Sequence, residues 1–250
     1  MQPADVLNEV AQQVSACEKC ALHFSRKNSV PGEGPSSVEI LLIGEGPGFF
    51  ENEQGRPFVG NAGVFLDELL LKAGVSRKEV FITNVVKCRP PGNRDPLPEE
   101  LAACGDYLDR QIEALDPKVI VTLGRFSMAR FLPNAHISEI HGQARWVRGR
   151  LVVAMFHPAA ALHQPSLKTS IENDFSHLPE IIRQGMQSGA KATGQAVETP
   201  STRLPAAGNP AAPEQLDLLS SGSNSETSGD EPNPDTEPPN QEPPVQLSLF

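Results

Sequence analysis

Four cysteines carry the most chemistry per residue in this chain of 250 amino acids. Cys17 and Cys20 form a CxxC pair, 67 residues separate Cys20 from Cys88, and 15 separate Cys88 from Cys104. Two intervening residues turn both sulfurs of a CxxC to one side, so the pair can clamp a metal ion or the edge of a cluster. Four thiolates with none to spare match the ligand count of a cubane iron–sulfur cluster and, equally, of a structural zinc site. Spacing alone does not separate the two. The competing reading makes Cys88 and Cys104 ordinary buried thiols, and the CxxC weighs against it.

A second set of residues is polar and lies at the ends of apolar runs. Ile40-Leu41-Leu42-Ile43 leads into Gly44-Glu45-Gly46-Pro47-Gly48, a tight turn carrying one carboxylate, Glu45. Glycines let a ligand approach the main chain closely, which makes Gly46 and Pro47 candidate contacts. Asn84 closes a second apolar run. Its amide offers a donor and an acceptor and can read the edge of a base; the plain alternative is an asparagine that closes a turn. His157 follows a third run in His-Pro-Ala, with Pro158 fixing the next turn. It is a candidate donor to a developing anion, or a structural histidine. Phe58, in Gly55-Arg56-Pro57-Phe58-Val59-Gly60, is a core residue by default and a stacking platform otherwise.

The elements that position these residues alternate. Apolar runs predict strands at 38–43, 80–86, 119–123 and 151–156. Helical spacing predicts helices at 4–15, 62–73, 98–115, 125–131 and 170–187. Pro98-Glu99-Glu100 is a strong helix start, with proline in the first turn and carboxylates at the positive end of the dipole. Segments 21–37 and 49–60 read as irregular loops, and 134–149 is weak, with Trp146-Val147 in a hairpin as one reading. Strand–helix alternation implies an α/β fold with a parallel sheet and right-handed crossovers. Parallel strands end on one side, so Glu45, Asn84 and His157 are expected at one mouth, where open α/β sheets bind ligands.

Charge divides the chain. The net charge is −10. From Lys191 onward nine carboxylates face only Lys191 and Arg203, a net −7, and ten of the 24 prolines fall there. Such composition marks disorder, because too little apolar area offsets the entropy of ordering. Residues 1–190, at −3, form the expected domain. Bulk charge therefore neither supports nor excludes a nucleic-acid partner. No apolar run approaches the roughly 20 residues of a membrane span, and the N-terminus lacks a secretory signal. The expectation is a cytoplasmic, nucleoid-associated monomer, whose cysteines serve metal or chemistry in a reducing compartment.

The Gly44–Gly48 and Gly55–Gly60 strings, Thr83-Asn84-Val85-Val86-Lys87-Cys88-Arg89-Pro90-Pro91 and His157-Pro158 together resemble the family 4 uracil-DNA glycosylases, iron–sulfur enzymes of bacteria and archaea. The four cysteines match that family's cluster pattern, and the resemblance spans roughly residues 5–185. It implies a three-layer α/β/α domain with a four-stranded parallel central sheet. It implies a [4Fe-4S] cluster on Cys17, Cys20, Cys88 and Cys104, and thereby resolves the zinc alternative. It implies hydrolytic excision of uracil flipped out of DNA, leaving an abasic site at the start of base excision repair.

Carried over residue by residue, Phe58 stacks on the uracil and Asn84 bonds its pairing edge. His157 stabilises charge on its oxygen, and Glu45 sits by the sugar and the attacking water. Gly46 and Gly48 stand where the family 1 enzymes have an aspartate and a tyrosine, so the water-activating group is open: Glu45 first, Glu51 second. Lys87, Arg89, Arg94 and Arg125 are candidate phosphate holders or solvated surface charges. Leu162 is a wedge for the vacated stack or a core leucine. The competing functions are a non-turnover, even covalent, uracil-DNA binder and a recruitment module. The Lys/Arg-rich insertion of the covalent relatives is not visible here.

The last residues, Gln246-Leu247-Ser248-Leu249-Phe250, resemble the peptide with which bacterial proteins dock on the DNA sliding clamp. Gln246, Leu247, Leu249 and Phe250 are the expected anchors, and Gln215-Leu216-Asp217-Leu218-Leu219 is a weaker copy. A short anchor on a disordered tail acts as a tether.

Overall fold

A computed structural model describes residues 1–193, with side chains through 189. Both clamp-like motifs, Gln215–Leu219 and Gln246–Phe250, lie outside the described residues. The strands are β1 (Ile40–Gly44), β2 (Val80–Asn84), β3 (Val119–Leu123), β4 (Gln143–Val147) and β5 (Arg150–Met155). The helices are α1 (Pro3–Ser15), α2 (Phe49–Gln54), α3 (Asn61–Lys72), α4 (Pro98–Leu115), α5 (Arg125–Ala129), α6 (Ile137–Ile140), α7 (Ala159–His163) and α8 (Lys168–Thr193).

The sheet order is β2-β1-β3-β5-β4. β2, β1, β3 and β5 pair in parallel, as predicted. The expectation of four strands is corrected by a fifth: β4 pairs antiparallel on the free edge of β5. Its signal is weak because it is exposed or half-buried along its whole length and shows no buried alternation, yet the hairpin reading of Trp146-Val147 is the one the structure bears out. Its hairpin turns on Arg148 and Gly149, whose φ values of 49° and 80° are both positive, as a tight two-residue hairpin turn requires.

Alternation along the strands divides the core between two faces. Leu41 and Ile43 pack with Leu108, Ile112 and Leu115 of α4. Leu42, one residue between them, packs on the other face with Leu66, Leu69 and Leu70 of α3 and Phe175 and Leu178 of α8. Three layers result. A third cluster seats α1 beside α4, through Val10, Val14, Leu22, Val86 and Tyr107. Glu33 bridges Ile82 through two backbone hydrogen bonds and covers the outer edge of β2.

α4 occupies its predicted span, and the Leu97 N–H donates to Glu100 Oε2 at 2.8 Å at its start. Two predicted loops contain helix. Ala21–Phe24 is a single 3₁₀ turn. α2 lies in the predicted loop 49–60; its six residues, FFENEQ, are too few to show a period, and Gly55 closes it at φ 71°.

Candidate functional site

The C-terminal ends of β1, β2 and β5 open on one cleft of about 330 Å³, lined by Glu45, Gly46, Pro47, Phe58, Asn84 and His157 among others. The six residues chosen from sequence thus meet in one place. Asn84 is 1% exposed, and its Oδ1 has no hydrogen-bond partner. A buried polar atom left unpaired costs about 1–3 kcal/mol, and among the described residues nothing satisfies this one. Gly44 is the β1 residue in register with Asn84. A Cβ on Gly44 would stand 2.3 Å from Asn84 Oδ1 and 2.8 Å from the Phe58 ring, so only glycine leaves room for both.

His157 is half-buried, and burial pushes its imidazole down to about 4, so it is neutral near pH 7. Its Nδ1 accepts the Ala159 N–H at 3.1 Å. The ring proton of the neutral form is therefore on Nε2, free to be donated. The Phe58 and His157 rings stack, with centroids 5.5 Å apart and planes 25° from parallel.

Phe58 sits in a strained backbone, at φ 51°. Strain of this kind persists only where its surroundings over-determine it, and three groups do so here. Glu51 accepts the Val59 and Gly60 N–H groups on Oε1 at 2.9 and 3.0 Å and the Gly48 N–H on Oε2 at 3.1 Å. Arg77 donates to the Pro57 and Phe58 carbonyls at 2.6 and 3.2 Å while pairing with Asp67 at 2.9 Å. Gly63 lets the next helix touch the loop: a Cβ there would lie 2.0 Å from Phe58 O. Glu51 is thus occupied as a staple between the two glycine-rich turns. Glu45 is half-buried; burial, then Asp95, raises its carboxyl above the usual range, and Arg125 partly offsets this.

The cysteines line a second cavity, all four together, walled also by Val14, Val86, Glu100 and Tyr107. Arg26 donates to Cys88 Sγ at 3.4 Å, the Lys87 N–H to Cys104 Sγ at 3.3 Å, and the Lys19 N–H to Cys17 Sγ at 3.5 Å. Donors aimed at sulfur stabilise thiolate ligands. Burial raises the Cys88 thiol and pushes Cys104 up to about 11, so metal binding there must release protons. Among the described residues no group of three or more His, Cys, Asp or Glu is arranged to hold a single metal ion.

Lys87 is a correction. It neither faces solvent nor offers itself to phosphate: it is 1% exposed. Its Nζ donates to Thr83 Oγ1, the Asn84 carbonyl and Gln111 Oε1 at 2.6, 2.8 and 2.7 Å, and burial lowers it to about 8. It is a strut under Asn84. Arg94 lines the cleft but is bidentate on buried Glu100, and Arg125 pairs with Asp95. Arg89 pairs with no carboxylate among the described residues. Leu162 is 50% exposed and borders a neighbouring groove, which removes the core reading. Sequence reasoning missed His163 in the cleft wall, six residues after His157, and the Arg77, Gly44 and Gly63 supports. The supports carry no local signal, because each acts across the fold.

Comparison with known proteins adds relatives. The Uracil DNA glycosylase superfamily pattern matches residues 31–178. A Type-4 uracil-DNA glycosylase of Archaeoglobus fulgidus is 46% identical over 185 residues, covering 70% of this chain and 92% of its own. One from Sulfurisphaera tokodaii is 44% identical over 187 residues, covering 71% and 85%. One from the bacterium Thermotoga maritima is 45% identical over 185 residues, covering 72% and 96%.

Proposed function

Because the chain belongs to the type-4 uracil-DNA glycosylases, we propose that the cleft binds a uracil swung out of DNA and that Asn84, Phe58, His157 and Glu45 perform its excision. The enzyme removes uracil from DNA by hydrolysing the N-glycosidic bond, which begins repair of the damaged base. The observation that carries the residue roles is the buried, unpartnered Asn84 Oδ1. Uracil presents an N3–H donor beside an O4 acceptor, which together satisfy an amide oxygen and its NH₂. Cytosine presents the reverse pair and leaves both unmet, and such sites discriminate strongly. Phe58 offers the ring face for stacking, while Gly46 and Pro47 bring the main chain against the base.

A base within the stack is out of reach, so the nucleotide is extruded at a cost of a few kcal/mol. As the bond breaks, its electron pair leaves with the uracil and positive charge develops on the sugar. The neutral His157 donates its Nε2–H to the uracil oxygen that gathers the negative charge. Water adds to the cationic sugar carbon and gives up a proton to solvent while the departed uracil anion takes one up, leaving an abasic sugar and neutral uracil. A cation demands little of the base, so Glu45, near the turn and with its pKa raised, suffices to orient that water. Glu51, already holding three N–H groups, remains a staple.

Type-4 enzymes are iron–sulfur enzymes, and four cysteines around one cavity match the ligand count of a [4Fe-4S] cluster, which supports one on Cys17, Cys20, Cys88 and Cys104. Bound there, it supplies Fe–S bonds joining the N-terminal loop to the segment after β2 and to α4. Arg26 and the Lys87 and Lys19 N–H groups would donate to the sulfurs. Residues 1–190 form the glycosylase domain and 191–250 the tether, whose last residues dock on the sliding clamp of a cytoplasmic replication machinery; among the described residues no helix is long and apolar enough to cross a membrane.

Free uracil measured after incubation with a uracil-containing oligonucleotide tests the core of this reading. Release by the wild type and its loss in Asn84→Ala are expected. Stable capture of the oligonucleotide without release would replace catalysis by the non-turnover reading. Iron analysis tests the cluster: about four irons per chain and broad visible absorption near 400 nm are expected, and stoichiometric zinc without that absorption would overturn it.

A further inference from the structure

Two phenylalanines at the rim of the cleft are unused by the mechanism. Phe49 and Phe50 open α2 directly after Gly48 and directly before Glu51, and both of those residues line the cleft. Each residue is 52% exposed. A single exposed phenylalanine is ordinary; an adjacent pair fixed edge to face, centroids 5.5 Å apart at 83°, is a surface. Phe50 lies close over Gly60: a Cβ there would stand 3.2 Å from its Cδ2. Arg89 lies over Phe49 with its guanidinium carbon 5.3 Å from the ring centroid. Asn93, itself a cleft residue, accepts the Arg89 Nε–H at 2.8 Å and fixes it there.

Aromatic faces beside a cation make up the unit by which proteins hold single-stranded nucleic acid: rings stack bases, and the cation takes the phosphate between them; among the described residues no carboxylate neutralises Arg89. We propose that Phe49 and Phe50 form a stacking step for the base next to the flipped uridine in single-stranded DNA, with Arg89 on the intervening phosphate. The occupant follows from position and charge. The step continues the wall of the cleft that holds the uracil, so the nearest ligand group is the neighbouring nucleotide. In a duplex that base already stacks on its own neighbours and is paired; in a single strand the step replaces lost stacking. Single strands therefore gain more from it than duplexes do.

This rests on the uracil-excision reading, and the experiment separates the two. The probes are single-stranded oligonucleotides with one 2′-fluoro-2′-deoxyuridine, flanked by thymines or by abasic tetrahydrofuran residues. Affinity for the full-length enzyme is read by fluorescence anisotropy, and KM and kcat are read on the matching deoxyuridine strands. Wild type should lose roughly 10-fold in affinity, and at most about 100-fold, when the flanking bases are removed. The Phe49→Ala/Phe50→Ala variant should bind the thymine-flanked strand that much more weakly and lose nothing further on the abasic one, with the change falling on KM. Phe49→Leu/Phe50→Leu should resemble the alanine variant, since bulk without a π face does not stack. If wild type releases no uracil, the excision reading fails. If it releases uracil while the alanine variant keeps wild-type affinity, or retains the full flanking-base penalty, the stacking step is overturned and the pair is left to a protein partner.

Discussion

Burial keeps His157 neutral near pH 7, and that fixes how it behaves with pH. Its folded pKa is about 4, against about 6.5 in an unfolded chain, because burial disfavours the imidazolium. Between those values the unfolded chain binds a proton that the native chain refuses. Stability is therefore full above about pH 6.5 and falls as the pH drops toward 4, on the order of 2–3 kcal/mol across the window. His157→Gln removes this linkage, and its melting temperature should fall less than that of wild type between pH 7 and 5, as thermal melts at the two values will read. His157→Ala removes the donor outright, and its single-turnover excision should slow by one to three powers of ten, roughly the worth of one oxyanion donor; an unchanged rate would remove His157 from the chemistry. Asn84→Asp places a second acceptor where uracil needs a donor met, so excision of uracil should fall and the preference over cytosine should narrow. Both side chains were legible in sequence because polar residues at the ends of apolar strands have few other reasons to be there. Lys87 was not: its burial depends on Thr83 and Gln111, and Gln111 lies 24 residues away on α4.

At the scale of elements, the sequence disclosed what is periodic and hid what is not. β1, β2, β3 and β5 are buried on both faces and read as continuous apolar runs. α4 declared its start through Pro98, while the left-handed Asp116 that stops it shows only in the structure. β4 and α2 are short and lack a buried period, so only Trp146-Val147 hinted at the first and nothing marked the second as helix. The support of Phe58 is of the hidden kind, since Arg77 lies 19 residues away and Gly63 meets it through a backbone contact. Arg77→Ala should let the strained Phe58 loop relax, raising KM about 10-fold while kcat changes less, and Arg77→Lys should rescue it only in part because a single ammonium cannot span both carbonyls as the guanidinium does. Gly63→Ala forces the helix off the loop; thermal melts should show a loss of roughly 1–3 kcal/mol, with KM rising in parallel. A Gly63→Ala enzyme with wild-type stability and KM would mean that the contact is not what holds the ring.

For the whole molecule, the distribution of charge frames what the tail does. Residues 191–250 carry a net −7 against −3 for the rest, so the tail is repelled by the polyanion that the cleft must bind, and a role in gripping DNA is the least suited to it. A role in bringing the enzyme to DNA fits better. Leu247, Leu249 and Phe250 close an otherwise polar segment, and short apolar anchors concentrate binding energy in a few side chains. The anchor is small and some ordering cost remains, so affinity for the clamp should be roughly micromolar; tethering then makes up the difference by raising local concentration. Deleting residues 246–250 should leave uracil release from short oligonucleotides at the wild-type rate, because every residue of the cleft lies before position 164. The same deletion should abolish co-migration with the sliding clamp in gel filtration and the heat of binding in calorimetry. If the truncated chain still binds the clamp with full affinity, Leu218→Ala/Leu219→Ala in that background decides the matter: loss of binding moves the anchor to Gln215–Leu219, and persistence of binding ends the tether proposal.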